Sequence, residues 1–147
     1  MFKKILVALD GSNNSLLALE KAIELQKLDE GCEILLLCVY KHHSLFEASL
    51  AMVRPADIQI PDQALAEFAT SVVDKGREHA KALGGHSIKG FVKNGRPSKA
   101  IVKFAKDKSV DLVVMGAHGS HSDTDGLLLG SVSQRVGGRA PCPILIV

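Results

Sequence analysis

Two short stretches of this chain have residue types that suit an anionic, hydroxylated ligand. One is Gly116-Ala117-His118-Gly119, which follows the apolar run Val113-Val114-Met115 and is separated by ten residues from Gly130-Ser131. Glycines let a backbone come close to a ligand, and a helix beginning near Gly130 points unpaired N–H groups and a partial positive charge at an anion. The other is Asp10-Gly11-Ser12, again directly after an apolar run, Ile5-Leu6-Val7-Ala8-Leu9. A carboxylate there suits ribose hydroxyls. Together the two stretches outline a nucleotide site, with backbone amides for phosphates and an acidic group for the sugar.

Each stretch also has a plainer reading. Asp, Ser and Asn are favoured in turns and helix caps without any ligand. A lone Gly-x-x-Gly is more often a turn than a cradle, and it is the later Gly-Ser at a helix start that raises this one. His118, inside the loop, serves equally well as a water-facing residue and is not counted among the contacts. Met115 is counted with the site, although core packing accounts for a strand-end methionine as well.

Other reactive residue types lead to less. His42-His43 has no third ligand at metal-binding spacing, which favours a solvated loop. Asp123 and Asp125 could help hold a hydrated Mg²⁺ that a nucleotide brings, while their repulsion of phosphate argues the other way, so no protein metal site is assigned. Lys3, Lys4 and Arg96 read as solvated surface. Cys32, Cys38 and Cys142 are odd in number, show no Cys-x-x-Cys spacing and sit in apolar segments, where a thiol acts as a small hydrophobe. A net charge of +2, with Lys and Arg dispersed among Asp and Glu and few aromatic residues, gives no footprint for nucleic acid. The apolar runs fall short of the ~20 residues that span a bilayer, and the N-terminus runs into a strand pattern rather than a signal peptide. The expectation is a cytoplasmic protein without membrane insertion.

The elements that must position these residues alternate strand and helix. Ile5 to Leu9 reads as a first strand and Leu16, Leu19 and Ile23 as the apolar spacing of a helix. Glu33 to Tyr40 is the second strand. Lys41 to Ile60 has no clean period and reads as a long excursion, followed by a helix over Pro61 to Leu83 that stops at Gly84-Gly85. Ser87 to Lys93 alternates as a third strand; Asn94-Gly95-Arg96-Pro97-Ser98 turns into a helix holding Ile101, Val102, Phe104 and Ala105. Asp111 to Met115, a short helix over Ser131 to Gly137 and a terminal strand at Pro143 to Val147 complete the order. Runs such as Ile34-Leu35-Leu36-Leu37 are apolar on both faces, as strands are when helices cover both sides of a parallel sheet. The 147 residues predict one domain, an open, doubly wound α/β sandwich. In such sheets ligands sit beyond the carboxyl ends of the strands, where the strand order reverses.

The opening Lys4-Ile5-Leu6-Val7-Ala8-Leu9-Asp10-Gly11-Ser12, Asn94-Gly95-Arg96-Pro97, Asp111 to Gly116, the Gly116-x-x-Gly119 and Gly130-Ser131 pair, and the closing Ala140-Pro141-Cys142-Pro143-Ile144-Leu145-Ile146-Val147 together resemble the universal stress protein family, specifically its ATP-binding branch. The resemblance covers the whole chain, residues 1–147, and implies a five-stranded parallel sheet in the order 3-2-1-4-5. It also implies ATP as ligand, accompanied by Mg²⁺, with Asp10 on the ribose, the backbone of Val39 beside the adenine and Ala8 lining the base pocket. Gly116, Gly119, Gly130, Ser131 and Val132 would hold the phosphates. The family pattern is one residue shorter between its second glycine and the Gly-Ser pair, a difference that a surface loop absorbs. A short, exposed, apolar edge strand such as Ile144-Leu145-Ile146-Val147 invites self-pairing, and the resemblance implies a homodimer through it, with the 41–60 excursion able to cover the pocket or build a larger assembly.

The function expected from all this is an ATP-binding regulatory or stress-response protein. Its nucleotide would set its conformation, oligomeric state or affinity for a protein partner that the sequence does not name, a membrane transport system being one class the resemblance implies. Two rivals stand beside it. A slow ATPase or other nucleotide-cleaving enzyme is disfavoured by the lack of a Gly-x-x-x-x-Gly-Lys-Ser/Thr loop and of a motif-placed general base. An interaction module of the same family with a degenerate cradle is disfavoured by the intact glycines.

Overall fold

Strands that are apolar on both sides need cover on both sides. In a computed structural model, which describes residues 1–41, 62–119 and 129–147, Ile5, Leu6 and Val7 are all fully buried. Strand side chains alternate, so Ile5, Val7 and Leu9 enter one apolar layer while Leu6 and Ala8 enter the other. Among the described residues the strands β1 (Lys4–Leu9), β2 (Glu33–Tyr40), β3 (Ile88–Asn94), β4 (Leu112–Met115) and β5 (Ile144–Ile146) form one parallel sheet. Their order is β3-β2-β1-β4-β5, as expected.

Helices α1 (Asn13–Gln26) and α2 (Asp62–Ala82) cover one face, and α3 (Pro97–Asp107) and α4 (Ser131–Gly137) cover the other. The first layer joins Ala18, Leu19 and Ile23 of α1 to Val72, Val73 and Ala80 of α2; the second joins Ile101 and Phe104 of α3 to Val136 of α4. Burying each Leu, Ile, Val or Phe side chain stabilises by about 1.5–3 kcal/mol, so this double cover is what holds the sheet and its helices together. Among the described residues no buried side-chain nitrogen or oxygen lacks a hydrogen-bond partner.

Element ends differ slightly from the sequence expectation, for local reasons. The third strand starts one residue late because Ser87 has φ +48°, a left-handed conformation no strand admits. Helix α2 ends at the expected Gly84-Gly85: Gly84 has φ +87°, and the Gly85 N–H donates to Ala80 O at 2.8 Å, closing the helix. The last strand begins after Pro143, which has no N–H for the ladder, and spans three residues rather than five. Apart from Lys41, the expected 41–60 excursion lies outside the described residues, as do His42, His43, Asp123 and Asp125. Among the described residues no helix is long and apolar enough to cross a membrane.

Candidate functional site

The strand order reverses between β1 and β4, so the turns leaving these two strands flank one crevice. Leaving β1, the chain makes a turn in which the Asp10 carboxylate Oδ1 accepts from the Ser12 N–H at 2.9 Å and Gly11 takes φ +85°. Ser12 is then the N-cap of α1: its Oγ accepts from the Ser15 N–H at 3.2 Å, while Ser15 Oγ donates back to Ser12 O at 2.9 Å. Capping therefore falls to Ser12, and Asp10 commits one oxygen to the turn. Its Oδ2 lies toward Gly119, 3.0 Å from where a side-chain Cβ on that glycine would stand.

The loop leaving β4 is held from three sides. Asn14 Nδ2 of α1 donates to His118 O at 3.3 Å, the Ala117 N–H donates to Val147 O at 2.8 Å, and Ala117 O accepts from both the Gly130 N–H at 2.6 Å and Ser133 Oγ at 3.0 Å. Gly130 is the N-cap residue of α4 and contributes no capping side chain. The start of α4 is thereby pinned against the loop, and the first-turn amides of a helix lack partners within it.

The glycines also serve contacts between protein segments. A Cβ on Gly116 would stand 2.8 Å from Asn14 Cβ and 3.0 Å from Asn14 C, so its bare backbone lets the end of β4 approach α1. A Cβ on Gly130 would meet Ala117 O at 3.1 Å. These two positions let protein segments approach one another, and the crevice keeps its shape as a result.

Between the two turns lies a cavity of about 680 Å³, within the range of ligand pockets. Ala8, Asp10, Val39, Met115, Gly116, Gly119, Gly130, Ser131 and Val132 all line it. Ser12 of the first turn lines it too, as does His118, which the sequence does not count among the contacts; the parts of the wall that sequence reasoning misses are Lys41, Pro97 and Ile101 from the start of α3, and Leu65 and Phe68 from α2. Phe68 is 61% exposed although it sits in the middle of an apolar helical pattern. Asn94-Gly95-Arg96-Pro97 was the available signal for the α3 wall. For Leu65 and Phe68 there was none, because helical spacing reads as core.

The walls are mixed in character. Ala8, Leu37, Val39 and Ile101 give an apolar side; Asp10 and Ser12 give a polar one. Cys38 also lines the cavity, and burial, helped by the nearby Asp10 charge, pushes its thiol up to about 11, which leaves it neutral and unreactive. Among the described residues no group of three His, Cys, Asp or Glu side chains is placed to hold a metal.

Comparison with known proteins agrees with this architecture. The universal stress protein family model matches residues 1–147. Universal stress protein YxiE of Bacillus subtilis is 35% identical over 153 aligned positions, covering 100% of this chain and 99% of the relative. The solved structure of protein MJ0577, of Methanocaldococcus jannaschii, superposes with a TM-score of 0.76 at 29% identity, covering 100% of this chain and 96% of that one. A universal stress protein solved in complex with cAMP shares the fold, with a TM-score of 0.73 at 24% identity over 99% of this chain and 97% of that one. With sequence and fold matched from end to end, the chain belongs to the universal stress protein family.

Proposed function

We propose that this protein binds ATP in the crevice between β1 and β4 and acts as a regulatory protein whose nucleotide state sets its conformation, assembly or affinity for a protein partner. The observation that carries the reading is one cavity lined by the Asp10 carboxylate on one side and the pinned Gly119 and Gly130-Ser131-Val132 backbone on the other. The donor set fits the ligand: a carboxylate accepts ribose hydroxyls, backbone amides at a helix start donate to phosphates, and Ala8 and Val39 give an apolar seat for a base. Mg²⁺ would arrive on the phosphates. The cAMP complex of a protein with this fold is a precedent for an adenine nucleotide in that protein.

Assembly as a homodimer through β5 belongs to the same reading. That strand closes one edge of the sheet, and Leu145 on it is 36% exposed.

The test is direct. Protein purified from cells is denatured, the released nucleotide identified, and hydrolysis of added ATP followed over hours while sedimentation gives the subunit number. A dimer releasing ATP with negligible turnover is expected. Steady turnover would make the protein an ATPase instead, and absence of any nucleotide at saturating ATP would remove the reading altogether.

A further inference from the structure

The cavity wall carries a group that the proposed function leaves unused. His118 lies between Gly116, which is wedged against α1, and Gly119, which faces Asp10. Its main chain is held on both sides: its carbonyl accepts from Asn14 Nδ2 at 3.3 Å, and the carbonyl of the preceding Ala117 accepts from the Gly130 N–H at 2.6 Å. The residue is therefore anchored beside the N-cap of α4, half-buried, on the wall where the phosphate-binding backbone lies.

Histidine is the side chain whose charge changes between pH 5 and 8. The charged groups on the same cavity are Asp10, which faces the loop from the β1–α1 turn, and Lys41, which follows β2. Helix α1 presents the uncharged Asn14, helix α4 presents Ser131 and Ser133 with Arg135 exposed beyond them, and Val147 presents the oxygen bonded to Ala117. A polyphosphate in the cavity would outweigh all of these by its charge. Resting on the ATP-site reading above, we propose that His118 makes nucleotide binding proton-linked: the imidazolium donates to the phosphates, so ATP binds more tightly in mild acid and takes up a proton as it binds. The inference concerns phosphate only, and the adenosine part should be indifferent to it.

Calorimetric titrations of the wild-type protein and His118→Gln, with ATP and with adenosine, at pH 5.5 and 8.0, test this. Comparing the two proteins at one pH cancels the titration of ATP itself. A charge-assisted hydrogen bond predicts about tenfold tighter ATP binding by the wild type at pH 5.5, converging to within about twofold at pH 8.0, with adenosine equal in both proteins throughout. Equal ATP affinities at pH 5.5, or the same loss at both pH values, would overturn the inference, the second pattern marking a merely structural role. A readout that needs no variant is the NMR titration of the His118 ring: its midpoint should rise when ATP is added, and an unmoved midpoint overturns the proposal equally. If the wild type binds neither ATP nor adenosine at either pH, the ATP site itself has failed. Adenosine binding with no proton linkage to ATP leaves that site standing and removes only the role of His118.

Discussion

The two turns that flank the crevice both contain glycine, and they use it for different physical reasons. In the β1–α1 turn Gly11 supplies a conformation: φ +85° is strained for any residue with a Cβ, yet a Cβ there would make only ordinary contacts, at 3.4 Å to Val72 Cγ2 and 3.6 Å to Phe68 Cζ. In the loop after β4, Gly116, Gly119 and Gly130 supply space, since added Cβ atoms would stand 2.8, 3.0 and 3.1 Å from Asn14 Cβ, Asp10 Oδ2 and Ala117 O. One turn is held by its own short-range hydrogen bonds and the other by distant segments pressed together. Damage to the first should stay local, whereas damage to the second should spread to the helices and the site.

That contrast can be broken in three places. Gly116→Val should be the most harmful, because its nearest neighbours include the backbone of α1, which cannot swing aside; a loss of about 3 kcal/mol in denaturant unfolding is expected. A loss below about 1 kcal/mol would show that β4 and α1 are not wedged at this point. Gly119→Val presses on a side-chain carboxylate instead. The fold should survive while ATP affinity falls about a hundredfold, or ~2.8 kcal/mol, through displacement of Asp10; normal binding by isothermal titration would mean the cradle is misplaced. Gly11→Ala should be mildest, costing about 1 kcal/mol of stability from its left-handed backbone, with ATP affinity unchanged to within about twofold. Should Gly11→Ala weaken ATP binding more than Gly119→Val does, the two turns have been assigned the wrong roles.

Much of the fold was legible because periodicity is a local property. Short runs apolar on both faces and bounded by turn residues, such as Ile34 to Leu37, read as strands covered twice, and the polar turn residues marked where helices began. Asp10, Gly119 and Gly130-Ser131 were legible for a related reason, since carboxylates and glycines at strand ends are uncommon needs of a core. Phe68 was not. It shares the apolar helical pattern of Ala69, Val72 and Val73, yet it stands exposed on the cavity wall while those residues are buried. The meaning of Gly116 was likewise hidden, because its tight neighbour Asn14 lies about a hundred residues earlier in the chain.

From the amino-acid order alone came the alternating strands and helices, the doubly covered sheet and the residue types at its carboxyl edge. Those follow from side-chain periodicity and backbone preference, which act over a few neighbouring residues. Tertiary structure decided which residues meet across the crevice, which glycines also let a neighbouring segment approach, and that His118 shares a wall with Asp10 and the start of α4. Such pairings depend on how separate segments pack, and packing is settled by shape and burial summed over the whole chain.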